Sequence, residues 1–332
     1  MIRTRLAFFA MVLSSALVMV EACSNHGAST GPLPTPTDSS VHWTLVSSPI
    51  ARRLSSVKMT GITTGFAVGD SGTYLYYGGG TTWGTVNVGP TQHFKNFYGV
   101  EGTGSGPVWL VGDSGTILYA PTTFGGWSQQ TSNVLVTLFS ISRVSGTSEL
   151  FAVGAGGVVI HSLDGGSSWT SQLSPTSESF FFAGGLADTN FFAAGQAGTG
   201  AQFNGTTWSS DVTGVSVNLR SGAAAGTTMT PLTDVWLVGD GGTILHSTSG
   251  ASGTWSTQPS GTTQNLLGIT ADSATRAFAV GTAGTILHWD GTAWRVMVTP
   301  TRANLRAIAQ GFSAPVDYWV VGDGGTILHG TR

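Results

Sequence analysis

Four histidines and a set of recurring acids are the residues in this chain whose types invite chemistry. A histidine cluster could hold a metal, and two carboxylates roughly 5–10 Å apart could cleave a glycosidic bond. The spacing argues against both. His161, His246, His288 and His329 each lie seven residues after a glycine, namely Gly154, Gly239, Gly281 and Gly322. Tyr76 and Tyr119 hold the same place after Gly69 and Gly112. The acids recur too. Asp70, Asp113, Asp240 and Asp323 directly follow such a glycine, while Glu149, Asp188, Asp234, Asp272 and Asp317 stand a few residues before it. Asp164 and Asp290 share a later phase, and only a few acids, such as Glu178 and Asp211, fall outside the pattern. Groups repeated once per unit are spread through a molecule rather than gathered at one point. No catalytic residue, metal or cofactor is therefore expected, and the turn acids are expected to be structural. The stretch "GDGGT" resembles a phosphate loop but lacks the lysine and helix that such a loop needs.

The cations cluster differently. Arg52, Arg53, Lys95 and Arg302 lie in the segments entering a new unit, with Arg220 and Arg306 just inside the strand that follows. In a chain with 9% charged residues this clustering asks for a reason. Two readings stay open. Each arginine caps a neighbouring turn aspartate, or together they rim a funnel for an acidic peptide, a C-terminal carboxylate or a polyanionic glycan.

The elements that must position these residues come from a repeat. Aligned on "VGD" and its variants, the glycines are Gly69, Gly112, Gly154, Gly195, Gly239, Gly281 and Gly322, spaced 43, 42, 41, 44, 42 and 41 apart. Seven units near this period predict an all-β, seven-bladed propeller of four-stranded blades. The first strand is short and apolar, as in "NLRAIAQG"; "WLVG" is the second, "TILH" the third, and the fourth begins near a tryptophan. Between the second and third strands, Gly72, Gly115, Gly157, Gly198, Gly242, Gly284 and Gly325 occupy the turn position that needs positive φ. In six units a tryptophan follows the key glycine by 13 to 16 residues, but after Gly322 the chain stops at Arg332. Trp43, in "HWTLVSS", precedes Gly69 by 26 residues and supplies the missing member of the period. His42 to Ser48 are thus expected to complete the last blade and close the ring.

Val159 to Trp169, "VIHSLDGGSSW", resembles the Asp-box, or BNR repeat, of sialidase-like propellers, with worn versions in "WDGTAW", "FNGTTW" and "YGGGTTW". The pattern "NLRAIA…WVVGDGGTILH" is similar to the photosystem II assembly and stability factor family and its bacterial relatives. The resemblance covers residues 42–332. It implies a seven-bladed propeller and an assembly or binding role, with the Asp-box as a turn device carrying no catalysis. Sialidase activity would require an arginine triad and a tyrosine nucleophile with its glutamate, and no such motif is recognisable here. A carbohydrate-binding or glycosidase propeller is the alternative.

The chain starts with Arg3 and Arg5 followed by a 15-residue apolar core, Leu6 to Val20, which reads as a secretory signal over residues 1–22. "VEAC" places the lone cysteine, Cys23, where a bacterial lipoprotein is lipidated, although Glu21 departs from that pattern. Residues 23–41, rich in Ser, Thr, Pro and Gly, read as a tether. Removing Arg3, Arg5 and Glu21 from 13 basic and 16 acidic residues leaves 11 and 15, so nucleic acid is not an expected partner. The expectation is an exported, lipid-anchored monomer at the cell envelope. Its partner there is a protein or peptide, or an acidic glycan.

Overall fold

The computed structural model describes residues 38–332 apart from 90–91, 93, 188–189, 226–233, 251–252 and 314–315. Residues 1–37, which hold the expected signal, Cys23 and most of the expected tether, and Asp188 lie outside the described residues. The described residues form 28 strands in seven four-stranded antiparallel sheets, the blades of a seven-bladed propeller. Blade 5 shows the plan: an inner strand Leu219–Ala225, then Asp234–Gly239, Ile244–Ser247 and the outer Ser256–Thr257. Blade 7 is assembled from both ends of the chain. Leu305–Gln310, Tyr318–Gly322 and Ile327–Thr331 are followed in space by His42–Leu45. Trp43 pairs with Gly330 and Leu45 with Leu328, and the amide of Val46 adds a hydrogen bond to the Ile327 carbonyl. The ring closes as the repeat arithmetic predicts.

The core lies between blades. Second strands such as Val108–Gly112 and Leu150–Gly154 are buried at every position, because a neighbouring blade covers each face. Trp43 packs with Phe278, Met297, Leu305, Tyr318 and Leu328, joining blades 6 and 7. Across the next junction Trp319 packs with Leu54, Tyr77 and Trp83 of blade 1.

The alignment glycine ends the second strand in extended conformation; what it avoids is contact. A Cβ on Gly239 would lie 2.2 Å from the Asn218 carbonyl oxygen. The turn that follows has two successive left-handed residues, Gly241 (φ 66) and Gly242 (φ 77), where the sequence suggested one. Ser71, Ser114, Ala197 and Ala283 accept the first of these positions in other blades, while the second is glycine in all seven. At that second position, a Cβ on Gly325 would lie 2.0 Å from the Ile50 carbonyl, in the segment leading into blade 1.

Residues 38–41, grouped with the tether by composition, lie against blade 6. The Asp38 amide bonds the Val296 carbonyl, and the His288 imidazole donates to the Asp38 carboxylate at 2.5 Å. Val41 is buried in the Trp43 cluster.

Candidate functional site

The inner strands surround a central channel of about 340 Å³. Each begins with a fully buried anchor: Leu54, Phe97, Leu138, Phe180, Leu219, Leu266 or Leu305. In all seven blades the pairing register slips at the next residue. Such a bulge re-aims a side chain. The residues so placed, Ser55, Tyr98, Phe139, Phe181, Arg220, Leu267 and Arg306, all line the channel.

The six cations divide into two groups. Arg53, Arg220 and Arg306 are clamps. Arg220 donates through Nε and Nη2 to the two Asp240 carboxylate oxygens, both at 2.8 Å. Arg306 holds Asp323 in the same way at 2.7 and 3.0 Å, and Arg53 Nη2 reaches Asp70 at 2.5 Å. In blade 2 the Tyr98 hydroxyl takes over this role, donating to Asp113 at 3.1 Å. Every turn aspartate of this phase is therefore engaged by a donor from the start of its own blade. Blades 3, 4 and 6 have Ala155, Gln196 and Thr282 at that turn, with Phe139, Phe181 and Leu267 opposite. Burial alone would raise the Asp323 pKa; the hydrogen bonds and charge of Arg306, helped by Asn304, outweigh it and hold the carboxyl below its ordinary value. Burial first, and then the Asp113 carboxylate, push the Tyr98 hydroxyl up to about 12. Arg52, Lys95 and Arg302 form the second group. Arg52 and Arg302 are exposed, Lys95 is half-buried, and none has an ion-pair partner among the described residues.

Sequence reasoning missed the asparagines before the inner strands. Asn96, Asn218, Asn265 and Asn304 each accept a hydrogen bond from the left-handed turn residue of the preceding blade, at 2.8 to 3.1 Å. Asn218 and Asn304 also donate to the aspartate of their own blade. These bonds tie blade 1 to blade 2 and join blades 4 to 7 in series. The "N-L-R" tripeptide, present twice, was the available signal.

Sequence reasoning also missed an aromatic arc. The rings of Tyr98 and Phe139 meet edge to face with centroids 5.5 Å apart, and Phe139 meets Phe181 in the same way at 5.5 Å. Arg53 lies over Tyr98 at 5.8 Å, and Arg220 over Phe181 at 5.0 Å. A chain of cation, three rings and cation follows the mouth over consecutive blades.

Each histidine serves its own blade. It stacks on the second-strand aromatic and donates to an acid: His161 on Phe151 to Glu149, His246 on Trp236 to Asp234, His329 on Trp319 to Asp317. In blade 6 the acid is Asp38, because Asp272 is taken by the Tyr318 hydroxyl at 2.6 Å and by Arg276. Asp164 ties its turn together through Ser162 and Ser168, which holds its carboxyl at about 2. Among the described residues lining the channel the carboxylate is Glu101, neutralised by Lys58 at 3.0 Å. Two carboxylates facing each other across the channel, as a glycosidase needs, are not found there.

No family model and no curated protein matches the chain. Solved structures do. A structure described as "YCF48 bound to D1 peptide" has a TM-score of 0.72 at 18% identity, over 87% of this chain and 95% of that one. YCF48 from Cyanidioschyzon merolae matches with 0.70 at 18%, over 86% and 98%. The WD40 β-propeller domain of Doa1 matches with 0.69 at 14%, over 87% and 97%. At these identities the likeness is one of fold alone.

Proposed function

We propose that this chain is a non-catalytic, exported propeller that binds a protein or peptide partner at the mouth of its channel, held at the envelope by a lipid on Cys23. The observation that carries the binding role is the charge state of the mouth. Its turn aspartates are held by clamps, so Arg52, Lys95 and Arg302, which have no ion-pair partner among the described residues, outnumber the one acid of the same loop phase, Glu178, and set the field an approaching ligand meets. The peptide-bound structure among the similar folds supports the reading. A random peptide library displayed on phage and selected against residues 38–332 tests it. Acidic peptides should be enriched, their binding should weaken with salt, and replacing Arg52, Lys95 and Arg302 by Ala should flatten that dependence. A selection that yields no peptide, or only peptides indifferent to the three substitutions, overturns the reading. The anchor rests on the leader sequence. Cys23→Ser should move the protein from the membrane fraction to the soluble one, and an intact mass showing bare Cys23 at the N-terminus refutes lipidation.

A further inference from the structure

The mouth is polarised. Its unpaired cations enter blades 7, 1 and 2, whereas the aromatic arc belongs to blades 2, 3 and 4. At the junction two apolar side chains stand in solvent: Phe94, 88% exposed beside Lys95, and Leu135, 89% exposed in the segment entering blade 3. Phe139 and Phe181 are themselves only half-buried. Exposed apolar side chains of this size beside a cationic rim mark an interaction site more often than a bare surface.

The geometry points to a binding subsite: the arc Tyr98–Phe139–Phe181 receives one apolar side chain, aromatic or branched aliphatic, from an acidic peptide whose carboxylates meet Arg52, Lys95 and Arg302. This assignment rests on the peptide-binding reading above and names what that peptide must carry. Three features select a peptide side chain over a sugar. The rings meet at 67° and 70°, so they offer edges and clefts, with no shared flat platform for a sugar face. Phenylalanine gives no hydrogen bond to a hydroxyl. The turn aspartates that could accept sugar hydroxyls are held by Arg53, Tyr98, Arg220 and Arg306. The arc is also set before binding. Arg53 and Arg220 close its two ends, and each is fixed by its aspartate, so little ordering remains to be done when a ligand arrives.

The test uses the peptides recovered from the displayed library, measured against Phe139→Ser combined with Phe181→Ser. The bulge position tolerates the change, since blade 1 has Ser55 there, and an unchanged melting curve confirms folding. Recovered peptides should contain a Phe, Trp, Leu or Ile near their acids, and the double variant should bind them roughly 10- to 100-fold more weakly, as loss of one buried apolar side chain implies. Phe139→Leu should retain most of the affinity. Peptides that bind the double variant as well as the parent overturn the subsite and leave the peptide-binding reading standing. A domain that selects no peptide but binds a glycan array in a Phe139-dependent way overturns both.

Discussion

Deleting residues 42–48 is expected to lower the melting temperature of the whole domain by roughly 10 °C and to make it prone to aggregate. Trp43 is buried and packs across the blade 6–7 junction against Phe278 and Tyr318, with ring centroids 6.3 and 6.4 Å away. Loss of a fully packed tryptophan alone costs about 3–5 kcal/mol. Without His42–Leu45, the strand Ile327–Thr331 becomes an open edge with unpaired amides and carbonyls. The deletion also removes Ser48 and the hydrogen bonds it makes with Ile50, beside the turn at Gly325. A truncation ending at Thr37 removes none of these contacts and serves as the control. Equal melting of parent, truncation and deletion, by calorimetry, would show that the ring does not depend on its composite blade.

Arg306→Ala is expected to cost about 2 kcal/mol near neutral pH, the range for a hydrogen-bonded charge whose half-buried partner is left unpaired. Arg302→Ala, at an exposed neighbour, should stay within about 0.5 kcal/mol. The clamp also has a pH signature. Asp323 is held below its ordinary pKa in the folded ring. A depressed carboxyl contributes stability that is present above about pH 4, the unfolded value, and lost as pH falls through the folded one. The gap in melting temperature between parent and Arg306→Ala should therefore shrink as the pH falls below about 4, the unfolded value. A gap that stays constant would mean that the Arg306 side chain acts through packing, not through Asp323. Arg220→Ala should cost a similar amount at neutral pH, since its contacts with Asp240 repeat those of Arg306 with Asp323.

The sequence alone determined the architecture, because a period near 42 records a local device repeated seven times. Each unit buries a short apolar strand on both faces, and its turn needs a glycine at fixed phase. Those requirements act over a few residues, so they show in the linear order. Even ring closure was legible, since the missing tryptophan reappears one period away at Trp43. What the tertiary structure decided was the meaning of the mouth. Six cations shared one phase, yet Arg53, Arg220 and Arg306 became clamps, while Arg52, Lys95 and Arg302 stayed unpaired among the described residues. In blades 5 and 7 that division depends on a bulge that turns Arg220 or Arg306 toward a carboxylate up to 20 residues away, whereas Arg53 reaches Asp70 from just before the first anchor. Tyr98, Phe139 and Phe181 are some 40 residues apart in sequence, and only the circular stacking of blades brings their rings into contact. Asp38 likewise became the partner of His288, 250 residues away, because Tyr318 and Arg276 had taken the acid that sequence phase would have assigned to it. Local order carries the spacing of a strand and a turn. The pairing of charges and rings between blades is settled by the curvature of the ring, which no single repeat contains.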